Sequence, residues 1–332
     1  MKAIALISGG LDSILAAKII LDQGIEVIGL SCVTPFSVCA HKEDCGCVVR
    51  RAAKKLGIEL AVIDLAQDFL DMLENPSHGY GSNMNPCIDC KILMLKKAKE
   101  LMQKIGAQFI VTGEVLGQRP MSQKGQAMKL IEEQSGTQGV LVRPLSAKLL
   151  EPAEPEKSGW INREKLFAIS GRGRKDQLVL AAQLNIDDYS APAGGCLLTY
   201  EGYSKKVRDL IRHNQLTLDN VSLLKIGRHF RISPKHKLIV GRDEEENIRL
   251  FALAEKGNLV YEPDDEIRGP VALGRGEISS EAEIEQCCRI VARYCDDNNR
   301  ELEIIAKKRG EDFQKSFICL PLEDSKLRAL RI

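Results

Sequence analysis

The sequence predicts an α/β fold, a doubly wound parallel sheet, followed by a smaller α+β domain. In roughly the first 145 residues, short apolar runs alternate with amphipathic segments, the pattern of a parallel sheet with helices on both faces. Near Ser204 the composition shifts, and basic residues crowd the interval up to Arg242. We therefore expect a first domain over 1–203 and a second over 204–332.

The elements of the first domain are predicted from its apolar periodicity. Predicted strands are Ala3–Ile7, Glu26–Ser31, Glu59–Ile63, Phe109–Thr112 and Val140–Val142. Predicted helices are Leu11–Gln23, about Asp44–Leu56, Gln67–Glu74, Cys90–Ile105, Arg163–Ala168 and Lys175–Leu184. Two segments rich in turn-forming residues predict loops, a long mobile one over Asn75–Asn85 and another over Glu151–Gly159.

The second domain mixes strand and helix signals. Its predicted strands are Lys237–Val240, Asn258–Tyr261, Pro270–Leu273 and Glu303–Ala306. Its predicted helices are Glu244–Ala254 and Glu281–Cys295. No internal repeat or low-complexity tract is visible, so the chain is predicted to be two ordinary globular domains.

Composition narrows the class of protein. The 332 residues carry a formal net charge of +1, so an RNA contact would need a local basic patch. No apolar run is long enough for a membrane span, and the first 30 residues do not have the form of a signal peptide. We therefore expect a cytoplasmic protein without a membrane partner, in which metal binding or catalysis explains the 11 cysteines better than a disulfide framework does.

The turn Ser8-Gly9-Gly10-Leu11-Asp12-Ser13 lies between the first strand and the first helix. Glycines let backbone N–H groups approach an anion, and the helix dipole favours negative charge there. The turn lacks the Gly-Lys-Ser/Thr of a Walker loop and the G-x-G-x-x-G of a dinucleotide fold. Gly113–Gln118 comes directly after another predicted strand, so both stretches should meet at the carboxyl edge of the sheet.

Cys87-Ile88-Asp89-Cys90 is a C-x-x-C pair at the start of a predicted helix, where the dipole should keep at least one thiol ionised. A redox pair, a zinc site and a three-cysteine iron–sulfur site are the possible interpretations. Cys196, in Gly-Gly-Cys, is a candidate third ligand. The alternative for Cys196 is a small buried residue without chemistry.

The turn Ser8–Ser13 resembles the PP-loop of the ATP pyrophosphatases, and Thr112-Gly113-Glu114 is similar to a second turn of that family. Asn85–Lys91 and Gly194–Leu198 resemble the cysteine motifs of its tRNA uridine thiolases. The resemblance implies ATP bound by Ser8, Gly9, Gly10, Ser13 and Gly113, with Asp12 as partner of Mg²⁺. It also implies adenylation of a uridine with release of pyrophosphate, then sulfur transfer with loss of AMP.

In some of these thiolases one cysteine carries a persulfide, and in others three cysteines hold a [4Fe–4S] cluster. The third cysteine favours the cluster here, with Cys87, Cys90 and Cys196 as ligands. The target implied is uridine 8 of tRNA, giving 4-thiouridine, with 2-thiouridine as the alternative. A lysidine-type or amidotransferase-type ligase, or a non-catalytic RNA-binding protein, are the other hypotheses.

Substrate contacts are predicted on two segments. Glu114 and Gln118 could position base or ribose and Arg119 a phosphate, while Arg172 and Arg174 form a basic turn suited to nucleic-acid phosphates. The stretch from Gly227 on faintly resembles the RNA-binding domain of ribosome-quality-control factors. No THUMP or rhodanese domain is apparent, so the sulfur donor stays open between free sulfide and a cysteine desulfurase system.

Two further cysteine groups are less informative. Cys39, His41, Cys45 and Cys47 have side chains that suit zinc, but the start of the following helix is the better explanation of the Cys-Gly-Cys turn. Cys288 and Cys295 are seven residues apart on one predicted helix face, which indicates core packing.

Overall fold

A computed structural model of the chain describes residues 1–37, 42–190 and 195–332, with only the backbone for 42–47. The chain divides into two compact units, Met1–Tyr200 and Glu201–Ile332. The boundary expected at 203/204 lies inside a helix of the second unit, Glu201–Arg212. Among the described residues no helix is long and apolar enough to cross a bilayer.

The first unit is built on a parallel five-stranded sheet with the order β3-β2-β1-β4-β5. Its strands are β1 Lys2–Leu6, β2 Glu26–Val33, β3 Glu59–Asp64, β4 Phe109–Val111 and β5 Leu141–Val142. Its α-helices are α1 Leu11–Leu21, α2 Lys42–Leu56, α3 Ala66–Glu74, α4 Cys87–Ile105, α5 Gly125–Ser135, α6 Glu154–Lys157 and α7 Lys175–Gln183. The predicted doubly wound α/β class is confirmed.

The central strands β1 and β4 are buried on both faces, as their apolar residues require. Ala3 and Ala5 of β1 belong to one hydrophobic cluster, whereas Ile4 between them belongs to another with α4 and α5 residues. Strand order reverses at β1, because β2 and β3 lie on one side of it and β4 and β5 on the other. Ligands of doubly wound sheets bind outside the carboxyl ends of the strands at such a reversal.

The second unit holds an antiparallel six-stranded sheet with the order β11-β10-β8-β9-β7-β6. Its strands are β6 Arg228–Arg231, β7 His236–Val240, β8 Leu259–Pro263, β9 Ala272–Gly276, β10 Leu302–Lys308 and β11 Gln314–Cys319. Its helices are α8 Glu201–Arg212, α9 Leu218–Leu223, α10 Glu244–Ala252, α11 Glu281–Ala292 and α12 Asp324–Leu330. Cys287, Cys288, Cys295 and Cys319 are all buried in its core.

Two local expectations are wrong, and one helix was not predicted. The predicted loop Glu151–Gly159 contains the short helix α6, which Pro155 can begin because its missing N–H has no helical partner there. The predicted helix Arg163–Ala168 is only a 3₁₀ turn over Arg163–Lys165, capped by Asn162. α5 is an additional helix that the sequence pattern does not predict, although Met128 and Ile131 bury its inner face.

Candidate functional site

The loop after β1 is closed by its own hydrogen bonds. Ser13 Oγ donates to Gly10 O (2.8 Å) and accepts from Ser8 N (3.2 Å), while Ser190 N and Oγ both donate to Gly9 O at 3.0 and 2.9 Å. Gly9 has φ +76°, a left-handed conformation that disfavours other residues. No side chain caps α1, and the amides of Ser13 and Ile14 donate to Gly10 O, so among the described residues the amides of Leu11 and Asp12 are the first-turn donors left for an anion.

Asp12 is oriented by the loop that comes after β4. Gln118 Nε2 donates to Asp12 Oδ2 (3.1 Å), whereas the buried Asp12 Oδ1 has no hydrogen-bond partner among the described residues. Gly113 packs directly on α1, because a Cβ there would overlap the Asp12 carbonyl and come within 2.5 Å of Ser13 N. The two stretches that topology predicts at one edge of the sheet are therefore in contact.

Three backbone contacts bring the segment that contains Cys196 close to the end of β2 and to the start of α4. Cys196 forms an isolated antiparallel bridge with Ser37, just beyond β2, and Leu197 N donates to Phe36 O (2.8 Å). Met84 N donates to Leu198 O (3.2 Å), which ties the segment before α4 to the segment after Cys196. Cys87 and Cys90 lie in the first turn of α4, and their thiols interact electrostatically with each other and, in each case, with Cys196.

The predicted mobile loop before α4 is tied down at several points. His78 Nδ1 and Asp89 Oδ1 are 3.0 Å apart, and His78 N donates to Asp89 Oδ2 (3.1 Å). The Tyr80 hydroxyl donates to Leu73 O (2.6 Å), and Met84 is buried. These contacts fix the start of α4 and turn the carboxylate of Asp89 towards His78.

Burial, rather than the helix dipole, controls these thiols. Burial raises the pKa of Cys90 to about 12, of Cys196 to about 11, and of Cys87 above its ordinary value. The cations Lys91 and Arg119 offset this only in part. The expectation of an ionised thiol in the protein without metal is therefore wrong.

A buried ionic network lies beside the cysteines. Glu114 accepts hydrogen bonds at Oε2 from Arg143 Nε (3.1 Å) and Thr112 Oγ1 (3.2 Å), and its Oε1 lies 3.7 Å from Lys91 Nζ. Burial alone would raise the pKa of Glu114, but the charges of Lys91 and Arg143 hold it below its usual value. Removing one partner of such a buried pair typically costs about 3–5 kcal/mol.

The turn 113–119 links the phosphate loop to the cysteines. Gly113 and Gln118 touch Asp12, Glu114 holds Lys91, and the charge of Arg119 acts on Cys87 and Cys196. The second predicted basic segment is adjacent to this turn, because Gly171 N donates to Leu116 O (2.7 Å). In that segment Arg172 is exposed and Arg174 is partly buried.

The donor groups fit two of the expected cofactors. The unpartnered, buried Asp12 Oδ1 is the hard oxygen ligand that Mg²⁺ takes. Among the described residues, no three His, Cys, Asp or Glu side chains converge on a single metal ion. Thiols such as those of Cys87, Cys90 and Cys196 are the donor type that iron–sulfur clusters take.

Three residues that sequence reasoning did not select belong to this site. Cys32 at the end of β2 interacts with Cys90 and Lys91, and burial raises the pKa of its thiol to about 11. Arg143 comes directly after β5, and Lys91 directly after Cys90. Cys32 and Arg143 each lie at the carboxyl end of a strand, a signal that the sequence already contained.

The second cysteine group stays untested. Cys39 and His41 lie outside the described residues, as do the side chains of Cys45 and Cys47. Ala191–Gly194, which precede the Gly195-Cys196 part of the predicted turn, also lie outside them.

In the second unit, many of the basic residues after Ser204 are not surface charges. His229, His236 and Lys237 are buried, and Arg231 pairs with Asp209. Lys205, Arg208 and Arg212 are exposed at positions i, i+3 and i+7 of α8, which places them on one helix face. Glu201 lies one turn before Lys205 and pairs with it at 2.8 Å, so Arg208 and Arg212 carry the remaining positive charge of this face.

Comparison with known proteins adds independent information. A family model described as thiamine biosynthesis protein (ThiI) matches residues 1–148, and one described as NFACT protein RNA binding domain matches residues 227–331. The predicted resemblance is confirmed. The ThiI-like region contains the phosphate loop, Cys87 and Cys90, whereas Cys196 lies beyond it.

Two curated relatives match about a third of the chain. A "Probable tRNA sulfurtransferase" of Methanosarcina mazei is 32% identical over 124 residues, 35% of this chain and 29% of its own length. A "tRNA-specific 2-thiouridylase MnmA" of Sulfurimonas denitrificans is 34% identical over 119 residues, 35% of each chain. This chain therefore spans only about a third of the length of either relative.

A solved structure has a looser likeness. The U34-tRNA thiolase NcsA of Methanococcus maripaludis, solved with its [4Fe–4S] cluster, is 16% identical with a TM-score of 0.35. The match covers 68% of this chain and 70% of that one.

Proposed function

We propose that the protein is an ATP-dependent tRNA uridine thiolase of the cytoplasm that makes 4-thiouridine at position 8. The observation that carries this proposal is the turn 113–119, which contacts the phosphate loop at Asp12 and pairs through Glu114 with Lys91, the residue next to Cys90. The same turn carries Arg119, whose charge acts on Cys87 and Cys196. The turn 113–119 thus belongs both to the proposed adenylating site and to the proposed sulfur-transfer site. The ThiI-like and NFACT-like matches support tRNA as the substrate.

The first step is adenylation of the base. The Leu11 and Asp12 amides at the start of α1 would hold the phosphates of ATP, and Asp12 would hold Mg²⁺ through its unpartnered Oδ1. When bound, Mg²⁺ would offset phosphate charge. The carbonyl oxygen of the uridine attacks the α-phosphorus, a P–O bond breaks, and pyrophosphate leaves. Preorganised amides stabilise the negative charge that develops on the departing phosphates.

The second step is sulfur transfer. Sulfur attacks the activated carbon of the base, the C–O bond breaks, and AMP leaves with the former carbonyl oxygen. Cys87, Cys90 and Cys196 would hold a [4Fe–4S] cluster, which when bound supplies an iron position open to a sulfur ligand. The turn 113–119 keeps both steps close, which removes the cost of a diffusive encounter. Free sulfide supplies this sulfur directly. A cysteine desulfurase system would supply it as a persulfide, whose S–S bond a second cysteine thiol must then break, forming a disulfide.

Anaerobic assays with tRNA, ATP, Mg²⁺ and sulfide test this proposal. We expect AMP and pyrophosphate in equal amounts, together with 4-thiouridine identified by nucleoside mass spectrometry. Cys196→Ala should abolish thiolation while tRNA-dependent pyrophosphate release continues. Cys295→Ala, a matched cysteine change in the core of the second unit, should leave both intact.

Iron and sulfide content with an absorption spectrum separates the cluster from its alternatives. A broad brown absorption that Cys196→Ala removes is expected. A colourless but active enzyme would instead indicate persulfide chemistry, and the absence of pyrophosphate release would leave only a binding protein. Thiolation that survives Cys196→Ala would rule out the proposed sulfur site.

A further inference from the structure

Two hydrogen bonds fix the backbone of the turn just before Gln118. Leu116 N donates to Ser146 Oγ (2.9 Å), which ties the turn to the segment after β5. Gly117 has φ +77°, and its N–H donates to Gln123 O (2.7 Å). The side chain of Gln118 therefore extends from a backbone that is held on both sides of the turn, so it can hold a neighbouring group in one place.

The amide of Gln118 makes a directed contact with Asp12. Its Nε2 donates to Asp12 Oδ2 at 3.1 Å. A carboxylate can only accept hydrogen bonds, so the amide nitrogen, and not the amide oxygen, must face it. Hydrogen bonds to an ionised acceptor are about twice as strong as neutral ones, so this contact orients the carboxylate.

The second oxygen of the same carboxylate is left for a ligand. Asp12 Oδ1 is buried and accepts no hydrogen bond from any described group. The backbone of Asp12 is also held, because Gly113 packs so closely on it that a Cβ there would overlap the Asp12 C and O atoms. A buried carboxylate oxygen without a partner costs free energy unless a donor or a cation binds it.

We propose that Gln118 is a positioning residue for Mg²⁺, which holds Asp12 at Oδ2 and thereby directs Oδ1 to the ion that accompanies ATP. The inference rests on the proposed function, in which Asp12 would hold Mg²⁺. Outer hydrogen-bond partners commonly orient metal-ligating carboxylates, and losing one typically lowers metal affinity about 10- to 100-fold. This role differs from the sequence-based expectation, in which Gln118 positions base or ribose.

Equilibrium dialysis of ATP with the full-length protein, in Mg²⁺ and in EDTA, tests this role. The ratio of the two dissociation constants measures how much Mg²⁺ raises the affinity for ATP. Gln118→Met removes the donor and keeps a side chain of similar length. It should lower the Mg²⁺-dependent gain ~3- to 10-fold, because the phosphates of ATP share the ion with Asp12. The affinity for ATP in EDTA should stay close to that of the wild type.

A double-mutant cycle separates positioning from a general disturbance of the loop. Asp12→Ala removes the ligand itself, so adding Gln118→Met to it should lower the Mg²⁺-dependent gain no further. Gln126→Met is the matched control, because Gln126 is exposed on α5, and it should bind ATP like the wild type under both conditions.

Three results would overturn the proposal. The first is an unchanged Mg²⁺-dependent gain in Gln118→Met, and the second is an equal loss of ATP affinity in Mg²⁺ and in EDTA, which would indicate a purely structural role. The third is a wild-type affinity for ATP that does not respond to Mg²⁺.

Thiolation assays keep this inference apart from the proposed function. If the wild type makes no thiouridine but Gln118→Met loses the Mg²⁺-dependent gain as expected, the role of Gln118 stands and the proposed function fails. If tRNA is thiolated while the gain is unchanged in Gln118→Met, the role of Gln118 fails and the proposed function stands.

Discussion

At the scale of single residues, burial decides which charges are available for chemistry. Lys237 of β7 is almost fully buried, and its ammonium has only a distant interaction with Asp209, 3.7 Å away. Burial lowers the pKa of Lys237 to about 7, against the opposing effect of Asp209. In the sequence Lys237 looks like part of a basic surface, but it is a core residue whose positive charge destabilises the folded state.

This residue predicts how stability depends on pH. The folded pKa of Lys237 lies below the unfolded value, so the unfolded chain binds the extra proton between about pH 7 and 10.5. Stability should rise with pH across that window, by at most about 1.4 kcal/mol per pH unit. Lys237→Met should stabilise the second unit, and more at pH 6 than at pH 9.

Hydrogen exchange of β7 amides in the full chain, compared between variant and wild type at each pH, measures this effect. Lys206, whose pKa burial lowers to about 8, keeps part of the pH dependence in the variant. Lys235→Met is the control, because Lys235 is exposed and pairs with Glu277 at the surface. An equal gain at both pH values would contradict the assignment of the effect to Lys237.

At the scale of elements, the polarity of a parallel sheet makes part of the site predictable from the sequence. The loops after β1 and β4 meet as expected, since neighbouring parallel strands end at the same edge. The same rule would have selected Cys32 and Arg143, but each is a single side chain without a glycine turn to mark it. The partner of Lys91 could not be predicted, because Glu114 reaches it only through tertiary packing.

The strands β6 and β11 and the start of α4 were not predicted correctly, for reasons that lie in the local sequence. β6 and β11 are the edge strands of the second sheet, and their charged or exposed residues weaken the apolar signal. The predicted start of α4 at Cys90 is late, because Cys87 already adopts the helical conformation directly after Pro86. This shift matters, since it places both cysteines of the C-x-x-C pair on the first turn.

The contact between the turn 113–119 and α1 predicts that one added methyl group at Gly113 lowers the affinity for ATP. Gly113→Ala would force Asp12 and Ser13 away from the turn, because the new Cβ would overlap their backbone. We expect ATP affinity to fall at least about tenfold, equivalent to about 1.4 kcal/mol, because the phosphate loop loses its geometry. Equilibrium dialysis with ATP measures this change. Gly202→Ala, where a Cβ meets nothing, should bind ATP like the wild type.

At the scale of the whole molecule, near-neutral net charge conceals local cationic surface. The formal charge of +1 indicates only that any RNA contact must be local. His229, His236 and Lys237 are buried and do not belong to that surface, whereas Arg208 and Arg212 are exposed on α8 beside the Lys205–Glu201 ion pair. When one chain offers two surfaces that bind the same long ligand, the overall affinity rises even if each surface binds weakly.

The exposed arginines of α8 predict the salt dependence of tRNA binding. Each phosphate that a cation neutralises releases counterions, so removing two cations lowers the slope of log K against log salt by about 1.4–1.8. Arg208→Gln with Arg212→Gln should therefore weaken tRNA binding and reduce the slope by about that amount, whatever the tRNA sequence.

Arg300→Gln with Lys315→Gln is the matched control. Arg300 lies just before β10 and Lys315 lies on β11, so both are at one edge of the sheet. α8 lies at the other edge, because Asp209 of α8 pairs with Arg231 of β6. Equal losses in both double variants would indicate diffuse electrostatic attraction rather than binding along α8.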